Sequence, residues 1–173
     1  MLRYGTGVFA LSLMGVAPLA AQENAPVFGQ LVGAWSGEGS LMDRAAKFTM
    51  TWREDGGFAV LTFENAFVGT DGDVTPVLNS VAVYRTSETN PEAVWLDSRG
   101  ERVEITWDAS DSTLVSHWAS ATEEGRTTYR IHSAYEMEVL DEVLSRGGWR
   151  TFATARYTRA RDQEGEPKPP PPT

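Results

Sequence analysis

Between Gly33 and Arg159 the chain alternates apolar and polar residues almost throughout, and turn-forming residues interrupt it about every 8 to 14 positions. Lys47–Arg53 is the clearest stretch: Phe48, Met50 and Trp52 share one face, and Lys47, Thr49, Thr51 and Arg53 the other. Asp55-Gly56-Gly57 then turns the chain into Phe58–Val68, where Leu61, Phe63 and Phe67 are in phase. Asp71-Gly72-Asp73 precedes Thr75–Thr86, and Arg99-Gly100 joins Glu92–Ser98 to Arg102–Asp108. In Arg102–Asp108, Val103, Ile105 and Trp107 oppose Arg102, Glu104 and Thr106. Ala34–Met42, Ser112–Ser120, Arg126–Glu136, Glu142–Arg146 and Trp149–Arg159 bring the count to about ten strands. Turns this short make neighbours antiparallel, and closing the sheet removes its edges. The expected fold is all-β: one antiparallel up-and-down barrel of about ten strands, preceded by a short helix around Ala25–Val32.

The two ends of the chain read differently. Met1–Ala21 has the form of a secretory signal peptide, with Arg3 ahead of an uncharged run of 12 residues, Val8–Leu19. Such a run is shorter than the roughly 20 residues a membrane-spanning helix needs. Leu19-Ala20-Ala21 closes it, so residues 22–160 form the expected domain, exported to the periplasm or beyond. Arg161–Thr173 lacks any aliphatic or aromatic residue and reads as a disordered, Pro-rich tail. The chain of 173 residues carries 15 basic and 24 acidic side chains, a net charge of -9, and no cysteine. That balance excludes nucleic acid as a partner, since phosphate binding needs clustered Lys and Arg. Without cysteine there is no disulfide framework, no thiol catalysis and no Cys-bearing zinc site.

Leu31-Val-Gly-Ala-Trp-Ser-Gly-Glu-Gly39 resembles the opening of nitrobindin-type barrels within the calycin group, which also holds lipocalins and fatty-acid-binding proteins. Gly147-Gly148-Trp149 and Arg156-Tyr157-Thr158-Arg159 are similar to the end of secreted bacterial lipocalin-like proteins of unknown function. The resemblance implies a calycin barrel in which Trp35 plugs the narrow end under Arg156 or Arg159. Such a cation–π contact is worth roughly 0.5–2 kcal/mol. It also implies a haem ligand on the last strand, where nitrobindins carry histidine. Here that position is Thr154, and Trp149–Arg159 contains no histidine. Threonine does not ligate haem iron, so no haem and no other cofactor is expected.

The remaining chemistry is sparse. His117 and His132 stand on different strands without metal-ligand spacing. Glu104, Glu136 and Glu138 fall on outer faces, beside Arg102 and Arg130. There is no nucleophile elbow, phosphate loop or dinucleotide fingerprint. No catalytic residue and no metal site is assigned. The aromatic inventory says more: six Trp, seven Phe and five Tyr, many on the inward phase. Met50, Trp52, Leu61, Phe63, Trp107, Trp118, Tyr129 and Tyr135 are expected inside. A ten-stranded barrel is wider than an eight-stranded one, and its interior either encloses a ligand or is filled by side chains. The expected function is binding of a small, mainly apolar molecule touching Met50, Trp52, Phe63, Trp107, Trp118, Tyr129 and Thr154. Two alternatives stand beside it. One is an envelope interaction protein with a filled barrel. The other is a barrel enzyme in which a bulge turns a polar cluster such as Arg130, His132 or Asn79 inward.

Overall fold

The computed structural model describes residues 24–160. Met1–Ala21 and Arg161–Thr173, read above as signal peptide and tail, lie outside the described residues. The described chain is one closed barrel of ten strands, each hydrogen-bonded antiparallel to its sequence neighbours, with the first pairing to the last. The strands are β1 (Gly33–Leu41), β2 (Arg44–Asp55), β3 (Phe58–Val68), β4 (Val74–Arg85) and β5 (Glu92–Asp97). They continue as β6 (Arg102–Ala109), β7 (Thr113–Ala119), β8 (Glu124–Ser133), β9 (Glu136–Ser145) and β10 (Gly148–Arg159). A six-residue helix, α1 (Pro26–Leu31), precedes them and starts on a proline, whose missing N–H costs a first turn nothing. The expected barrel and its short leading helix are therefore present. No helix among the described residues is long and apolar enough to cross a membrane.

Alternation builds the core. Ala46, Phe48, Met50 and Trp52 of β2 are buried while their neighbours face out, and partners across each ladder share a face. Val27, Phe28 and Leu31 of α1 are fully buried and close one end of the barrel. Phe28 packs against Trp52, Tyr84 and Trp107, with ring centroids 6.4, 5.7 and 5.1 Å away. Polar edges of these rings are satisfied: Trp35 Nε1 donates to the Leu31 carbonyl (2.8 Å), and Trp107 Nε1 to that of Arg85 (3.1 Å).

Trp35 sits at this closed end, 1% exposed, with the Arg159 guanidinium 4.3 Å over its ring. Arg159, rather than Arg156, fills the role the resemblance implies, and it also donates to the Gln30 carbonyl on α1. The glycines beyond Trp35 have steric reasons. A Cβ on Gly37 would lie 2.7 Å from the Tyr157 ring, and one on Gly39 only 1.9 Å from the Thr154 carbonyl oxygen. β10 crosses β1 closely enough that neither position has room for a side chain.

Two strand boundaries differ from expectation. Arg126–Glu136 is not one strand: the chain turns at Ser133–Tyr135, and β9 begins at Glu136. That turn has no Gly, Pro, Asn or Asp. The Ser133 hydroxyl holds it instead, accepting from the Tyr135 amide at 3.2 Å. Tyr135 consequently projects from the turn, 51% exposed, and is not an interior residue. On β10 the register shifts between Thr151 and Ala153, so Phe152 and Ala153 both turn toward the interior.

Candidate functional site

The candidate site is the half of the barrel interior opposite α1, where inward side chains of the strands make a cup-like lining. Its floor is aromatic: Trp52 meets Tyr129 edge-on at 5.5 Å and Tyr84 at 5.3 Å, while Phe48 packs on Tyr157 at 6.1 Å. All of these are buried. Tyr84 and Ser116 share a hydrogen bond of 3.0 Å. Burial pushes the Tyr84 phenol up to about 12, and burial likewise drives Tyr129 and Tyr157 well above the usual tyrosine range. The floor is thus neutral at any ordinary pH.

Above the floor the inward residues change character. Phe63 of β3 packs on Trp95 of β5 (5.8 Å), and Trp118 of β7 on Phe152 of β10 (6.3 Å). All four face the core yet are only half-buried. Since their register points them inward, the surface they retain opens into the cup. The Trp118 ring lies over Gly125, where a Cβ would approach it to 2.0 Å. Only glycine at that position lets the indole lie against the wall.

Polar groups join this aromatic mouth. Asp141 of β9 pairs with Thr127 of β8 and Ala153 of β10, on the inward row with Val139. Its carboxylate accepts from Thr127 Oγ1 at 2.6 Å and makes no ion pair among the described residues. Burial raises its pKa from 3.8 to about 6, against the lowering effect of the Thr127 hydroxyl. The residue as a whole is only partly buried, and by register its side chain faces the cup. On the far wall, Asn65 of β3 and Ser80 of β4 are buried with Oδ1 and Oγ unpartnered. Near the rim Asp97 behaves differently. Burial raises its pKa, but hydrogen bonds from the Arg99 side chain and amide and the Glu101 amide outweigh that and hold it low.

The residues expected to touch a ligand are distributed over three places. Phe63 and Trp118 stand at the mouth, and Met50 and Tyr129 are buried lower in the interior. Trp52 and Trp107 are buried beside Phe28 of the closing helix. Thr154 is a correction: it pairs with Ser40 and Leu140 on the outward row, while Ala153 and Ala155 face in. The histidines also lie outside. His117 is 42% exposed at the side chain and 3.0 Å from Asp108, and His132 is 3.9 Å from Glu138. β8 does carry a register shift at His132, yet His132 and Arg130 remain exposed, as does Asn79. The inward polar residues are different ones: Asp141 and Thr127 on one wall, Asn65 and Ser80 on the other. Among the described residues no three His, Asp or Glu side chains are grouped to hold a metal ion.

A second concavity, of about 690 Å³, lies on the outer face of β4 to β7, among Val83, Val94, Glu104 and His117. Trp118 borders it as well, together with Ala93 and Ile105.

No protein-family model and no curated protein matches the chain. Solved structures do. Rv2717c from M. tuberculosis superposes with a TM-score of 0.56 at 16% identity, over 80% of this chain and 100% of its own. The S-type phycobiliprotein lyase CPES from Guillardia theta gives 0.52 at 12% identity, over 79% and 92%. The likeness shows a fold shared with both structures, a closed antiparallel β-barrel. At such identities the likeness carries the architecture and leaves function to the residues of the cup.

Proposed function

We propose that this chain binds a small, mainly apolar molecule, which enters the open end of the barrel and lies on the aromatic floor between the two ring pairs. The half-burial of Phe63, Trp95, Trp118 and Phe152 carries this reading, because these inward rings have accessible surface where the opposite end has none. Apolar walls with a few convergent polar groups are the usual make-up of a small-molecule site. A structural neighbour named as a phycobiliprotein lyase is in keeping with a binding role of some kind. Met1–Ala21 supports export as part of the same proposal.

A neutral, polarity-sensitive naphthalene fluorophore provides the test. It is expected to bind one-to-one, shift its emission to the blue, and accept excitation energy from tryptophan. Trp118→Ala removes one ring of the mouth and is expected to weaken binding about ten-fold. Absence of any uptake by the folded protein overturns the proposal, and would leave the outer concavity as the surface for a protein partner.

A further inference from the structure

Three carboxylates on the outside of this barrel have arginine partners: Arg126 lies 2.6 Å from Glu142, Arg102 3.0 Å from Glu104, and Arg130 3.4 Å from Glu138. Asp141, on the inward row, has only the Thr127 hydroxyl. A carboxylate inside a barrel without a counter-charge is costly unless something supplies one. Across the cup, Asn65 Oδ1 and Ser80 Oγ are likewise buried and without partners. Of these, the Asp141 carboxylate and the Asn65 amide oxygen can only accept, so they suit a ligand that donates hydrogen bonds. The rings around them offer π-faces, which attract cations and repel anions.

Resting on the reading of the cup as a binding site, we propose that its ligands carry a protonated nitrogen: an ammonium group on an apolar body. The ammonium meets the Asp141 carboxylate, and the body lies between the Phe63–Trp95 and Trp118–Phe152 pairs. A single carboxylate without further ligating groups nearby does not suit a metal cation, and an anionic ligand would face Asp141 directly. The chain's net charge of -9 draws cations toward the protein in general. The titratable groups that share the interior face with Asp141 are the phenols of Tyr129, Tyr157 and Tyr84, all neutral, Asp97, which is held by Arg99, and Arg159, which stacks on Trp35 at the closed end. The other Arg and Glu side chains of β8, β9 and β10 lie on the outward rows, so no protein cation substitutes for the ligand.

Two matched probes separate this inference from the reading beneath it. One is a naphthalenesulfonamide with a five-carbon arm ending in a primary amine, and the other is the same molecule acetylated on that amine. At pH 7.5 the ammonium probe is expected to bind at least about ten-fold more tightly. Asp141→Asn is expected to abolish that preference, bringing the two probes within about two-fold of each other. Lowering the pH to 5, below the value of about 6 that burial gives Asp141 in the folded, unliganded protein, is expected to shrink the preference in the unmodified protein alone. Equal binding of the two probes, or a preference that survives Asp141→Asn, overturns the inference and leaves the binding cup standing. Binding of neither probe overturns both.

Discussion

Trp52→Ala is expected to destabilise the barrel by about 3–5 kcal/mol, the range for removing a buried tryptophan from a packed core. Trp52 is 1% exposed and joins three parts of the molecule, touching Phe28 of α1, Tyr84 of β4 and Tyr129 of β8. Truncation leaves a cavity that β2 cannot fill by moving, because both its edges are bonded to neighbouring strands. Typical domains have only about 5–15 kcal/mol of stability in all, so the variant is expected to be marginal. Trp149→Ala is the control. That ring is 39% exposed and packs under Arg126 at 4.4 Å, and its loss is expected to cost about 1 kcal/mol or less. Urea unfolding of the two variants measures the difference. Near-equal losses would mean that the aromatic floor is not the packed centre described above.

Asp141→Asn is expected to do the opposite and stabilise the protein at neutral pH. The carboxyl ionises at about 3.8 when free and at about 6 in the folded chain, because burial disfavours its charge. Below 3.8 both states hold the proton, and Asp141 carries no electrostatic penalty. As pH rises toward 6 the unfolded chain releases its proton first, so stability falls, and above 6 the loss is complete. A shift of this size corresponds to roughly 2–3 kcal/mol. Asparagine never ionises. The difference between variant and parent should therefore be small at pH 3.5 and grow to about 2 kcal/mol in the variant's favour at pH 7.5. Titrations elsewhere in the chain cancel in that difference. Urea unfolding of both proteins across this range checks it, and an Asn variant less stable than the parent at pH 7.5 would show that the ionised carboxylate is well stabilised where it stands. A group that weakens the fold at neutral pH fits a binding role better than a packing one.

Much of the architecture was legible because β2, β3 and β6 alternate cleanly and end at Gly-bearing turns. The inward phases of Phe48, Met50, Trp52, Phe63 and Trp107 follow from alternation alone. The cup was less legible, for identifiable reasons. Ser133-Ala134-Tyr135 has no conventional turn signal, so the sequence pattern begins β9 only at Glu142 and leaves Asp141 without an alternation to place it. The bulge at Phe152 reverses the phase of β10 above Ala153, and nothing in Trp149-Arg-Thr-Phe-Ala-Thr154 announces it. Trp95 lies on a strand of six residues in which Ala93 and Asp97 share its face, too mixed a row to read as inward. Gly37 and Gly39 were visible as a motif, whereas the Tyr157 ring and Thr154 carbonyl that exclude a Cβ there come from a strand more than a hundred residues away.

The location of the bound molecule is the most direct test of the central claim, and the six tryptophans report on it. Each indole N–H gives its own proton–nitrogen NMR signal. On saturation with the neutral naphthalene probe, the signals of Trp95 and Trp118 are expected to shift most. Those of Trp35, buried at the closed end, and Trp149, on the outer face beside Arg126, are expected to stay in place. A shift confined to Trp149, or none at Trp95 and Trp118 with the probe bound, would contradict the account by placing the molecule outside the cup.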